Sequence, residues 1–439
     1  MLLVPARTPL PSLGPAGFTI MSFNVLIPNS VDGWWTYKYY GPGETDSCWA
    51  ARCPLLQQRI LGCSADIVML QECSPESFAD DWAFLIEAGY DCAMLAKGRM
   101  RPATFWRKDR FALCTSSSTA KGADGVLHGD RCLMTVLRAL DSAGEPLPRE
   151  PLCAINVHLT AGPNARRRLQ QVHGALDSVR KLRKEATGPA AVVVAGDFNS
   201  QGRSAVHELL VHGEVLPTFR ESGDPTEPLQ GESEVTSKPK RQELGGFADA
   251  MAQAYGGEEA APPTIIAAQL QPAMQEADGG PSAQLLAALD ESFATLSSDG
   301  AQLSDAEEEK WLLGVNQQLG RGSEYRAAVA AREAHGGSPL TRDDFRGIYA
   351  AEVAQGKFWG VEHDLRVLRG SGLRAEGSAP FSARFDHIYF SSAALRLGAA
   401  QPALPEEEMA RLLSGREYGL PSENEASDHL PVATALEWA

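Results

Sequence analysis

Apolar and polar positions alternate along FTIMSFNVL at 18–26, and the β-branched and aromatic content there predicts a strand. ADIVMLQEC at 65–73 is an unbroken apolar run that ends in Gln71-Glu72, so it predicts a buried strand. ATFWRKDRFALC (103–114) and RCLMTVLRAL (131–140) read as strands joined by a Gly-rich loop. LCAINVHL (152–159), AVVVAGDFN (191–199), RFDHIYFSS (384–392) and HLPVATALEW (429–438) complete the strand set. Two segments show helical spacing instead. WAARCPLLQQRILGC (49–63) places Leu56, Ile60 and Cys63 on one face, with Pro54 expected to delay its start. RRRLQQVHGALDSVRKLRKEA (166–186) is amphipathic, and a further helix is expected from about Ser204 to His212. Helices alternating with buried strands predict an α/β or α+β core.

Residues 213–380 break this rhythm. The segment is rich in Ala, Gly, Pro, Glu and Gln and offers no convincing strand. Helical periodicity returns at 283–296, 305–319, 323–334 and 341–356. Strands of similar character flank it, so it reads as an insertion, placed at about 245–365, in one catalytic domain running from 18 to 439. A chain of 439 residues and 47.1 kDa can bury a large core of that kind. The net charge of −16 argues at first against a polyanionic partner. Residues 256–309 carry eleven Asp and Glu and no Lys or Arg, however, so the rest of the chain stands at only −5. Basic clusters survive there, at Arg99–Arg110, Arg166–Arg168 and Arg180–Lys184. The acidity of one segment is therefore compatible with a phosphate-bearing substrate elsewhere.

No apolar run approaches the ~20 residues that cross a bilayer, so no membrane partner is expected. The N-terminal MLLVPARTPLPSLGPAGF has proline from position 5 and no apolar stretch of signal-peptide type. Eight cysteines without a CxxC predict reduced thiols and a cytoplasmic location.

The candidate chemistry lies at the strand ends. Asn24 follows SF, Glu72 follows LQ, and Asn156 and His158 form N-V-H. Asp197 and Asn199 form G-D-F-N, Asp386-His387 follow RF, and Ser427-Asp428-His429 precede the last strand. Taken singly, each reads as a turn or helix-cap residue. Together they form one set of carboxylates, carboxamides and imidazoles, and strand ends on one rim of an α/β fold converge where ligands bind. Oxygen ligands suit Mg²⁺ or Mn²⁺ better than Zn²⁺. The sequence has no G-x-S-x-G elbow, P-loop or G-x-G-x-x-G. A metal beside a carboxylate base and a histidine suits hydrolysis of a phosphate ester.

FTIMSFNVL, ADIVMLQE, INVHL, VVVAGDFNS, FDHIYFSS and SDHLPV, in this order, resemble the endonuclease/exonuclease/phosphatase superfamily. The resemblance implies a DNase I-like four-layer sandwich of α/β (α+β) class, two packed β-sheets flanked by helices, with the insertion as a mainly helical addition. It implies that Glu72 is the main metal ligand, with Asn24 and Asp428 near the metal or its waters. Asp197 would position the attacking water, and Asn199 would hold that water or a phosphate oxygen. Asp386 would orient His429, which stabilises the phosphate, and His158 and Asn156 would complete the phosphate pocket. Phe198 is expected to point into the core between its two polar neighbours.

WAAR and ATFWRKDRF further resemble the deadenylase branch of the carbon catabolite repressor and nocturnin type. That branch implies a 3′→5′ exoribonuclease acting on adenine-rich single-stranded RNA. There, a proline five residues after His158 (Pro163) and a phenylalanine five before Asp386 (Phe381) would sandwich a base. The sequence departs from the branch in having Gly162-Pro163 for Asn-Pro and His387 for a tyrosine, which places strict poly(A) preference in question. The 2′-phosphodiesterases and angel-type enzymes share much of the pattern, and sphingomyelinases and inositol-polyphosphate phosphatases share the core, so an oligoadenylate, an adenine dinucleotide cofactor or a lipid head group stays open as the substrate. A non-enzymatic regulatory protein on this scaffold is the alternative of another class, and every catalytic position being present counts against it. Within the insertion, helix, Gly/Ser, L-[ST]-x-x-[DE] and helix occur twice, with Leu303 and Leu340 marking the two copies. This resembles a degenerate EF-hand pair. Leu296 and Glu333 stand at the leading ligand positions, so calcium binding is not expected.

Overall fold

The structure is a computed structural model that describes residues 2–28, 33–40, 47–114, 125–183, 188–221, 235–373, 378–415 and 419–439. Most of the Gly-rich loop expected between 114 and 131 therefore lies outside the described residues.

Two seven-stranded sheets pack face to face. The first runs, in spatial order, Leu2–Leu3, Leu395–Gln401, Val432–Trp438, Gly17–Asn24, Ile67–Cys73, Arg101–Arg107 and Tyr90–Met94. The second runs Phe247–Asp249, Asp386–Ser391, Val192–Asp197, Leu152–His158, Cys132–Ala139 and Phe111–Leu113, with Val126–His128 beside Cys132–Ala139. Phe18, Ile20, Ile67 and Met69 of the first sheet meet Ala154, Val193, Ala195 and Ile388 of the second in a shared core. The helix Trp49–Cys63 covers the outer face of the first sheet, and Ala165–Leu182 and Ala205–His212 cover that of the second. Strands buried on both faces need apolar residues at consecutive positions, which is why VVVA and IVML do not alternate. The architecture is the expected four-layer sandwich. Pro54 does not delay its helix, which begins at Trp49 and holds the proline inside.

The insertion differs from expectation at both ends. Phe247–Asp249 pairs with Asp386–Ser391 as an edge strand of the catalytic sheet, and Ala250, Met251 and Ala254 of the next helix enter the core between the sheets. Ile265–Ala267 pairs with Phe381–Ala383. A separate hydrophobic core begins only at Leu270 and closes at Leu373, so 270–373 replaces 245–365 as the extent of the inserted unit. Its helices span Ala283–Leu296, Asp305–Asn316, Ser323–Ala334, Arg342–Ala354 and Phe358–Arg369. Gln302–Leu303 and Leu340–Thr341 form a two-stranded antiparallel pair with Leu303 opposite Leu340.

The inserted acids are largely engaged. Glu307 Oε2 accepts from the Ser304 N–H and hydroxyl, and its Oε1 accepts from the Ser298 N–H. Asp344 caps Thr341 in the same way. Asp290 pairs with Arg346, Glu291 with Arg369, and Asp305 and Glu308 with Arg332.

Candidate active site

Register brings the polar strand ends of the second sheet together. Asp197 lies opposite His158 on one side and opposite Asp386 on the other. One imidazole and two carboxylates thus form a row across three adjacent strands. In the first sheet Asn24 lies opposite Gln71, so its amide reaches Glu72, the residue after it. Asn24 Nδ2 is 3.3 Å from Glu72 Oε1 and 3.0 Å from Asp197 Oδ2, which links the two sheets. His158 Nε2 sits 3.8 Å from Glu72 and 3.7 Å from Asp197. His429 Nδ1 lies 2.7 Å from Asp386 Oδ2, and its Nε2 lies 3.8 Å from Asp197 Oδ2. Asp428 precedes it, with the Ser427 hydroxyl donating to the Asn24 carbonyl at 2.7 Å.

The backbone is bent to make this arrangement. Glu72 and Asn199 both adopt left-handed conformations, at φ 66° and 48°, a strain that non-glycine residues carry mainly where the surroundings impose it. Gly196 has φ 144°, and a Cβ there would fall on the carbonyl oxygen of Val157. Only glycine lets Val192–Asp197 approach Leu152–His158 closely enough to set Asp197 beside His158. Phe198 turns into the core against Tyr389 and His387. Asn199 donates its N–H to Asp197 Oδ1 at 2.8 Å and its amide to Asp197 Oδ2 at 3.1 Å.

Electrostatics follow from this crowding. Burial, with Asp386 nearby, pushes the Asp197 carboxyl above its ordinary range. Burial and the charges of Glu72 and Asp197 push Asp428 up to about 6. Burial alone would lower His429, but Asp386, Asp197 and Asp428 outweigh it and hold the imidazole well above its usual value. The site therefore pairs a charged imidazole with an excess of carboxylates.

The sequence profile of the Endonuclease/Exonuclease/phosphatase family matches residues 47–429. The chain belongs to that family. Carbon catabolite repressor protein 4 homolog 2 of Arabidopsis thaliana is 28% identical over 257 residues, covering 50% of this chain and 41% of that protein. The CCR4-Not complex 3′-5′-exoribonuclease subunit Ccr4 of Candida albicans is 26% identical over 235 residues, covering 45% of this chain and 29% of that protein. The chain spans less than half the length of either relative. The solved structure of ANGEL2, a 2′,3′-cyclic phosphatase, in complex with adenosine-2′,3′-vanadate superposes with a TM-score of 0.52 at 16% identity. That match covers 96% of this chain and 95% of that one, a likeness of fold.

Two groups in this family member could hold a divalent cation. Asp197, Asp386 and His429 offer ligand atoms within 4.8 Å of one another. A cation there would have to break the short Asp386–His429 hydrogen bond. Glu72, Asn24 and Asp428 form the other group, with Asp428 raised by its burial and then by the charges of Glu72 and Asp197. The oxygen donors fit a hard cation.

Asn156 does not join the site. Its amide nitrogen donates to the carbonyls of Leu70 and Ala103 at 3.1 and 2.9 Å, and its oxygen accepts from Gln71 at 2.8 Å. It ties the two sheets together beneath the row, which corrects its expected place in the phosphate pocket. Pro163 is exposed in the turn before Ala165–Leu182. Phe381 is half-buried and lies 6.4 Å from the ring of Phe385, whose carbonyl accepts from the Phe198 N–H.

Several supporting residues had little signal in the sequence. Arg52, the arginine of WAAR, is fully buried and donates to the carbonyls of Val25, Ile27 and Ala426, on both sides of the Glu72 cradle. The Ile27 N–H in turn donates to Glu72 Oε2 at 3.0 Å. Thr264 Oγ1 accepts from the N–H groups of Phe385 and Asp386, and its carbonyl accepts from Leu430. A second dyad, His387 Nδ1 with Asp249 Oδ2 at 2.7 Å, backs Phe198, and Arg384 also binds Asp249.

Proposed function

We propose that this chain is a Mg²⁺- or Mn²⁺-dependent 3′→5′ exoribonuclease that releases 5′-mononucleotides from single-stranded RNA. The observation that carries the reading is the row His158–Asp197–Asp386 with Asn24 and Glu72 set against it from the opposite sheet. Similarity to an exoribonuclease subunit supports RNA as the substrate class.

Glu72, Asn24 and Asp428 would hold the cation, which supplies neutralisation of phosphate charge and stabilisation of the leaving oxygen. Asp197 orients the attacking water and takes its proton. Burial makes Asp197 a stronger base than an exposed aspartate. Asn24 and Asn199 donate to its Oδ2 and fix the carboxylate plane. His429, kept charged by Asp386, donates to a phosphate oxygen as negative charge develops there. Phe381 and Pro163 remain candidates for contact with the terminal base.

The test offers the purified chain labelled poly(A), other homopolymers and NADPH with and without Mg²⁺. Stepwise release of 5′-mononucleotides from RNA is expected, and Asp197→Asn should lower kcat by roughly 10²–10⁴ while RNA binding persists. Turnover of NADPH alone would refute the RNA reading. A kcat for Asp197→Asn within a few-fold of the unaltered protein would move the base elsewhere.

A further inference from the structure

The inserted unit meets the catalytic domain over the short helix Thr36–Tyr39, beside the cation end of the site. Tyr40, next in the chain, donates its hydroxyl to the carbonyl of Ala426, two residues before Asp428. The Tyr39 hydroxyl is raised by burial first and then by the charges of Asp428 and Glu72, so this ring lies within electrostatic reach of both. Its face stacks on Trp359 of the inserted unit, with centroids 4.3 Å apart and planes 18° apart. Trp359 also approaches Trp35 at 5.9 Å. The contact is anchored by Tyr37, which donates to the Val315 carbonyl at 2.8 Å, and by buried Lys38, which is 3.1 Å from Glu324 and 3.2 Å from Asp364.

Between these elements lies a cavity of about 310 Å³ lined by Trp34, Trp35 and Trp359, all half-buried, and by Arg99 and Arg326. Such a volume suits one small ligand at the low end of the usual ~300–1,000 Å³ range. Each acid in its wall faces a lysine: Glu324 faces Lys38, which it shares with Asp364, and Glu352 faces Lys357 at 2.9 Å. Arg99 and Arg326 are exposed, and among the described residues neither has an acidic partner. The mouth is thus cationic on a chain of net charge −16. The Asn316 amide, 1% exposed and without a hydrogen-bond partner among the described residues, lies against Gly322 behind the cavity wall.

We propose that this cavity is a nucleotide subsite built jointly by the inserted unit and the catalytic domain. A base of the RNA strand, upstream of the nucleotide being cleaved, stacks among the tryptophans, and Arg99 and Arg326 bind the adjoining phosphates. This deepens the exoribonuclease reading and rests on it for the identity of the strand. Aromatic faces accept any base, and cations track the backbone, so the subsite supplies affinity rather than sequence choice.

The test measures binding of a short fluorescein-labelled oligoribonucleotide to the full chain by anisotropy, in chelator so that no cleavage occurs. Trp359→Ala is expected to weaken binding by about 10-fold or more, the size of one base–aromatic stack. An abasic oligomer of the same length should bind Trp359→Ala and the unaltered chain alike. Arg326→Glu should weaken binding several-fold at low salt, with the difference shrinking as salt rises. Unchanged affinity in both variants overturns the subsite. If Trp359→Ala does not fold, the exposed Arg326→Glu decides alone. Hydrolysis of bis(p-nitrophenyl) phosphate and RNA by the unaltered protein with Mg²⁺ tests the enzyme reading separately. Absent hydrolysis with the binding losses intact sinks that reading and keeps the subsite, and hydrolysis with unchanged affinities does the reverse.

Discussion

Replacing Asp428 by Asn tests the claim that folding buries a carboxylate at the cation end of the site beside two others. The side chain keeps its size, and what is lost is one carboxylate facing Glu72 and Asp197. Folding raises this carboxyl from its ordinary 3.8 to about 6. The sign follows from linkage. A group whose pKa rises on folding contributes stability that is fully present below its unfolded pKa and is lost as pH climbs through its folded one. Without metal, therefore, the unaltered protein loses stability between about pH 4 and pH 6 through this group. Two pKa units correspond to at most about 3 kcal/mol. The net effect is smaller, because Asp428 also helps keep His429 charged and retains some contact with solvent. For a chain of 439 residues the melting entropy implies a shift of about 3 °C at most. Thermal unfolding in chelator should show Asp428→Asn melting higher than the unaltered protein at about pH 8, with the difference fading toward pH 4. Added Mg²⁺ should stabilise the unaltered protein strongly and the variant little. Identical pH profiles in chelator would refute the argument, since Asp428 would then be neither desolvated nor under repulsion and the cation would have to be sought at Asp197, Asp386 and His429.

Two further outcomes test other parts of the reading. Asn156→Ala removes three hydrogen bonds between the sheets, those to the Leu70 and Ala103 carbonyls and the one from the Gln71 amide, which keeps Ser22 and Met69 as partners, so it should cost about 1–3 kcal/mol in denaturant unfolding. Its kcat per folded molecule should stay within a few-fold, and a lowered kcat at unchanged stability would return Asn156 to the phosphate pocket. Calcium titrated calorimetrically into the full chain should show no micromolar binding, because both Glu307 oxygens and Asp344 Oδ2 are taken up by hydrogen bonds to Ser298, Ser304 and Thr341. A saturating heat would mean that those hydrogen bonds open readily to admit the ion.

The periodicity of the chain determined the sandwich and most of its elements. Strands buried on both faces leave long apolar runs, and the inserted helices keep a clear spacing, so both are local properties. The kinds of residue at the strand ends were equally plain, because polar groups that interrupt such runs stand out. The structure decided which of them meet. Asn156 and His158 share a strand and a face, yet one ties the sheets and the other reaches Glu72 and Asp197. That difference depends on how deep each lies between two sheets, which no spacing in one strand encodes. The need for Gly196 also arises from a neighbour, Val157, that is distant in sequence. Phe247–Asp249 is too short to show a period and is a strand only because Asp386–Ser391 presents an edge to it. Trp359 lies beyond the last stretch of helical spacing seen in the insertion, at 341–356, and drew no reading of its own. Its place beside Tyr39 comes from the docking of the inserted unit, a contact between segments more than three hundred residues apart, and there the sequence alone had no means of signalling a site.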